Sequence, residues 1–142
     1  MRKFGIAAVL FIVISAPNVI DAGVARRQYC EDYYREVFLA ARHAVHNIGA
    51  KVIHADDSSG SIVGRLEAEL YGHAIEISVW VNRNRDSQGG VEPMWVQVTA
   101  KFRKMKDKDL DEDQKEQLVM IEDSVMELIR LGADCGPPDS PR

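Results

Sequence analysis

Most of what would announce a function is missing from this chain. Aromatic residues make up only 7% of the 142 residues, too few for a stacking platform on single-stranded nucleic acid. The charge balance is mildly acidic, with a net charge of −4 and an isoelectric point near 5.5. That argues against a nucleic-acid or anionic-membrane binder, which would show a basic patch or stripe. There is no Gly-x-Ser-x-Gly, no phosphate-binding loop, no dinucleotide fingerprint and no His-Glu-x-x-His, so no catalytic residue and no cofactor can be assigned by motif. Internal repeats and a second domain are equally absent, and the composition is that of one globular unit.

What is present begins at the N-terminus. Arg2 and Lys3 precede the apolar run Phe4–Ala16, and a more polar stretch from Pro17 to Ala22 follows. This is the layout of a cleavable secretory signal at residues 1–22, cut before Gly23. The run is shorter than the ~20 apolar residues that an anchor needs. The expectation is therefore a periplasmic or secreted domain over residues 23–135, with no membrane span after cleavage. The proline-rich tail 136–142 is expected to be disordered. Both cysteines, Cys30 and Cys135, fall in this part, and an isolated pair in an oxidising compartment is most simply a disulfide. Without a Cys-x-x-Cys, redox catalysis has no support.

Residues Tyr29 to Ile48 place Cys30, Tyr34, Val37, Phe38, Ala41, Val45 and Ile48 at helical spacing, with Gly49 as the stop. The middle of the chain then alternates with period two. Lys51–Ala55 is a short strand, Asp56–Gly60 a turn, and Ile62–Leu70 a second strand. Gly72-His73 suits a two-residue hairpin turn, and strands over Ile75–Val81 and Met94–Phe102 flank a longer loop, Asn82–Pro93. A closing helix carries Leu118, Ile121, Val125, Leu128 and Ile129, with Gly132 as its cap. These elements predict an α+β fold: a four-stranded antiparallel meander with an N-terminal and a C-terminal helix on one face.

The uncovered sheet face is the candidate interaction surface. In the simplest register Arg65 faces Trp80, and Trp80 faces Trp95. Tyr71, Thr99, Lys101 and Arg103 lie on the same side. Paired aromatics with an arginine are the chemistry of interface hot spots, and equally of a cross-strand pair that only stabilises a sheet.

The remaining candidates are weaker. His43 and His46 sit one helical turn apart on the solvent face with nothing to complete a metal site. His54 and His73 fall in a strand and a turn. Asp107, Asp109, Asp111 and Asp113 imitate the start of a calcium loop, but Glu112 and Leu118 stand where glycine and glutamate are required. Glu67, Glu69 and Glu76 are outward carboxylates with no nucleophile beside them. No metal site is expected.

The helix ending at Gly49-Ala50-Lys51-Val52, the Asp56–Gly60 turn into Ile62-Val63-Gly64 and the final amphipathic helix together resemble small exported bacterial domains of unknown function. In that lipoprotein-like family a helix precedes four strands and a last helix. Many of those relatives are lipoproteins, but here Cys30 follows Arg26-Arg27-Gln28-Tyr29 rather than a lipobox, and this departure from the family favours a soluble periplasmic or secreted protein over a tethered one. The functional expectation is a non-catalytic binding module for an envelope protein or a second copy of itself. A small-ligand or metal carrier, or an enzyme whose site only the fold assembles, is the alternative.

Overall fold

A computed structural model describes residues 26–67, 72–83 and 90–136. The expected signal segment and residues 137–142 of the expected tail lie outside these residues. In chain order the elements are strand β1 (Arg26–Asp32), helix α1 (Tyr34–Asn47), and strands β2 (Lys51–Asp56), β3 (Ser61–Leu66), β4 (Ile75–Asn82) and β5 (Glu92–Phe102). A 3-10 turn, Asp107–Asp109, and helix α2 (Glu112–Gly132) complete them. The strands form one antiparallel sheet of five in the order β1-β5-β4-β3-β2.

The fold is α+β, as predicted, but it has a fifth strand, which is the first described element. The stretch expected to begin a helix at Tyr29 is extended, and α1 starts only at Tyr34. The reason lies in β5, whose 11 residues would otherwise show an open edge. β1 pairs with its first half, from Asp32↔Glu92 to Arg26↔Val98. Helical spacing over residues 30–38 and strand alternation over 26–32 overlap in the sequence, and the available edge decides between them.

Both expected hairpin registers are also displaced. Leu66 pairs with Ile75, so β3 and β4 are joined by residues 67–74 and not by a two-residue Gly72-His73 turn. Leu70 and Tyr71, expected at that turn, fall outside the described residues. Arg65 therefore faces Glu76 and not Trp80. Likewise Val79 pairs with Val98, which sets Trp80 against Gln97 and Trp95 against Asn82. Both slips are by an even number of residues. Such slips leave every side chain on its face, so alternation alone cannot distinguish them.

The inward rows are Ile62, Gly64 and Leu66 on β3, Ile75, Ile77, Val79 and Val81 on β4, and Met94, Val96, Val98, Ala100 and Phe102 on β5. Helix α1 lies over β2, β3 and β4, while α2 lies over β5 and against α1. Small residues set the spacing. Ala40, Ala41 and Ala44 of α1 are buried, and a Cβ on Gly132 would stand 3.1 Å from the Ala40 Cβ. Gly132 is thus the last helical residue and a contact point, while Ala133 is the C-cap. Gly64 admits the Val45 side chain from α1, which a Cβ at that position would strike. The N-terminus of α2 carries a complete capping box between Asp111 and Gln114, which satisfies two otherwise unpaired N–H groups.

Cys30 and Cys135 form a disulfide across 105 residues. Backbone hydrogen bonds from Glu31 N–H to the Asp134 oxygen and from Gly136 N–H to the Tyr29 oxygen, both 2.9 Å, flank it. The Gln28 amide donates to the Gly136 oxygen at 2.9 Å.

Two stability tests follow from this packing. Replacing both cysteines with serine is expected to lower the unfolding free energy by roughly 2–5 kcal/mol, read by guanidinium titration. Gly64→Ala, which forces α1 away from the sheet, is expected to cost about 1–3 kcal/mol in the same titration.

Candidate functional site

The outer sheet face bears the residues singled out from the sequence, in a different arrangement. Trp80 is 44% exposed and sits between Gln97 and Ser61. Trp95 is half-buried, not opposite Trp80 but beside Tyr29. Their ring centroids are 5.4 Å apart, edge to face, and the Arg27 guanidinium lies 4.8 Å from the Trp95 ring centre. Arg65 faces Lys51 on one side and Glu76 on the other. Thr99 is opposite Ser78. Lys101 reaches Glu76 at 3.9 Å. Arg103 lies just past β5, exposed, with its N–H bonded to the Ala74 oxygen. Tyr71 is outside the described residues.

The face therefore holds two aromatic points at one end, Trp80 and the Tyr29–Trp95 pair, and a band of cations below them. The sequence pattern did not place Tyr29 and Arg27 on this face, because it starts the first helix at Tyr29 and leaves Arg27 ahead of any element. The alternation Arg27, Tyr29, Glu31 against Gln28, Cys30, Asp32 was the available signal. Along this face Arg27, Lys51, Arg65 and Lys101 outnumber Glu31, Asp56 and Glu76, although the chain as a whole is acidic. No described element packs against it.

A second feature lies at the same end of the sheet, on the helix side. A cleft of about 700 Å3 runs between the first turns of α1 and the β2–β3 turn, with Tyr34, Phe38, Arg42, Asp57, Arg83 and Glu92 among its walls. The Tyr34 hydroxyl donates to the Asp57 oxygen, which ties α1 to that turn. Burial raises the Tyr34 hydroxyl pKa above its ordinary value. Asp57 adds to the rise, Arg83 opposes it, and Asp56 and Glu92 add smaller contributions. The Asp56 carboxyl is held below its usual range, first by the Ser58 hydroxyl and then by the Ser58 N–H. The Arg83 guanidinium stacks 4.5 Å from the Tyr34 ring centre. A smaller hollow of about 400 Å3, lined by Trp80, Asn82 and Gln97, shares Tyr34 and Arg83 with the cleft.

Comparison with family models, curated proteins and solved structures finds no match. The reading of the site rests on its own chemistry.

The other candidates are dispersed. His43 and His46 are exposed on α1, His54 lies 3.3 Å from the Ser61 hydroxyl, and His73 packs edge-on to Phe102. Among the described residues no three metal-binding side chains converge. Asp111 is spent as a helix cap and Glu76 on Lys101, while Glu69 is outside the described residues.

The most perturbed carboxyl was not singled out at all. Glu122 of α2 is 1% exposed, and it accepts the Ala100 N–H at 2.8 Å. Ala100 lies beyond the Arg26↔Val98 pair, where no strand among the described residues pairs with β5 on that side, and the side chain takes the place such a partner would have. Burial raises the Glu122 pKa to about 8, with the Ala100 N–H and Arg26 pulling the other way.

A carboxyl with a raised pKa favours the folded state while it stays protonated. Its contribution is whole below the unfolded pKa near 4.5 and is lost as pH rises to about 8. The wild-type stability is expected to fall across that window by roughly 4 kcal/mol. Glu122→Gln removes this titration, so its unfolding free energy, measured by denaturant titration at several pH values, should lose that part of the slope.

Proposed function

We propose that this chain is an exported, non-catalytic binding module. Its outer sheet face docks a partner protein through an apolar and acidic segment. The observation that carries this reading is Trp80. It is 44% exposed on a sheet face that no described element covers, with Tyr29 also half-exposed and Trp95 and Arg27 beside it. Large rings on a strand-borne surface supply contact area at little entropic cost, and an adjacent arginine is their usual companion at hot spots. The excess of basic residues along this face supports an acidic partner, since complementary charge speeds and orients encounter.

Two further features support export. The N-terminal segment has the pattern of a secretory signal, and the Cys30–Cys135 disulfide is compatible with an oxidising compartment. Among the described residues no helix is long and apolar enough to cross a membrane.

A photo-crosslinking residue at position 80, in the full chain exported from its own cells, is the direct test. The expected result is a light-dependent adduct with a different protein. It should be absent when the crosslinker sits at Met120 on exposed α2, and reduced several-fold by Arg27→Glu. An adduct composed only of two copies of this chain, equal adducts from both positions, or none at position 80 would overturn the assignment.

A further inference from the structure

The cleft beside α1 contains one group that the fold does not use. Glu92, the first residue of β5, is 1% exposed, and its Oε1 has no hydrogen-bond partner. The nearest cation, Arg83 Nε, is 3.8 Å away, beyond hydrogen-bonding range. The Arg83 guanidinium is laid instead over the Tyr34 ring. A buried carboxyl oxygen without a donor is costly, and folded proteins rarely keep one without a reason.

Glu122 shows how this protein treats such a group when the role is structural, with a backbone N–H at 2.8 Å. Glu92 receives no equivalent, although it faces a cleft large enough for a small molecule. The wall nearest to it is aromatic, with Tyr34 and Phe38 at a centroid distance of 6.0 Å. Asp57 also lines the cleft. With the Tyr34 ring already covered by Arg83, it is the carboxyl groups that favour an organic ammonium ion here.

The same helix, α1, also brings cations to the cleft. Arg35 and Arg42 line the same cleft, and neither has an ion-pair partner among the described residues. The first turn of α1 lies here too, and its N-cap residue, Tyr33, offers no side-chain cap. Both features favour an anionic group.

We propose that this cleft is a binding site for a small zwitterion, its ammonium hydrogen-bonded to Glu92 Oε1 and its carboxylate held by Arg35 and Arg42. The volume of about 700 Å3 exceeds what a single small amino acid needs and suits a short peptide. The cleft lies on the helix side of the sheet and its proposed contacts use no outer-face residue, so it stands or falls independently of the docking reading above.

The probe is L-alanyl-L-alanine, titrated to millimolar concentration into the processed, oxidised chain and followed by amide chemical shifts. Saturable shifts are expected at Tyr34, Asp57 and Glu92, and none at Ser78 or Thr99 on the outer face. N-acetylation of the dipeptide, which removes its positive charge, is expected to weaken binding at least tenfold on the unaltered protein. Glu92→Gln should do the same, with its amide spectrum showing whether the fold is kept. Arg42→Gln should weaken binding several-fold, more for the free dipeptide than for its C-terminal amide. No saturable shift at the cleft, or equal affinity for the acetylated and free dipeptides, would overturn the proposal.

Discussion

The arrangement depends on one seam, where β1 meets residues 134–136. A disulfide, two backbone hydrogen bonds, the Gln28 amide and the Asp32 carboxylate, which accepts the Asp134 N–H at 3.0 Å, all converge there. β1 is a poor strand on its own. Its inward side chains include Gln28 and Cys30 rather than branched apolar residues, and its neighbours are mostly charged. Held at the seam, it covers the edge of β5, presents Tyr29 and Arg27 to the outer face, and sets Asp32 opposite Glu92. The aromatic end of the sheet and the back of the cleft both descend from that attachment.

The two buried carboxyls of the described region divide the structure by purpose. Glu122 completes a hydrogen-bond ladder where β1 runs out, so its burial serves the sheet. Glu92 sits where the same ladder begins and completes nothing within hydrogen-bonding distance at Oε1. Their similar burial and different surroundings show why a low exposure by itself does not mark a site. The partner inventory does.

The sequence showed the inner face of the sheet almost completely. Ile62, Ile75, Ile77, Val79, Val81, Met94, Val96 and Val98 were assigned inward from alternation alone, and all are buried. The closing helix was legible in the same way, through Leu118, Ile121, Val125 and Ile129. The pairing of Cys30 with Cys135 followed from there being only two cysteines. What stayed hidden has a common physical origin. Period-two patterning fixes a face and leaves a register free to slip by two or four residues, which is the difference between a Trp80–Trp95 pair and the observed neighbours. β1 was hidden because, of its inward side chains Arg26, Gln28, Cys30 and Asp32, Cys30 alone is apolar. Glu122 and Met126 were passed over because a glutamate inside an apolar stripe reads as its solvent border. The cleft could not be read from any motif, because Tyr34, Arg42, Asp57, Arg83 and Glu92 come from different elements and only the folded chain brings them together.

The seam also changes what kind of object the fold is. Gln28 and Gly136 are in direct contact although 108 residues separate them, and Cys30 is covalently joined to Cys135. From β1 round to α2 and back, the polypeptide is in effect a ring closed by sulfur. In a ring no position is privileged as first or last. The backbone could be opened at the exposed Asp57–Ser59 turn and rejoined across the seam by a peptide linker, and each strand would keep its neighbours. Such a circular rearrangement would exchange a redox-sensitive closure for one that reductants do not touch.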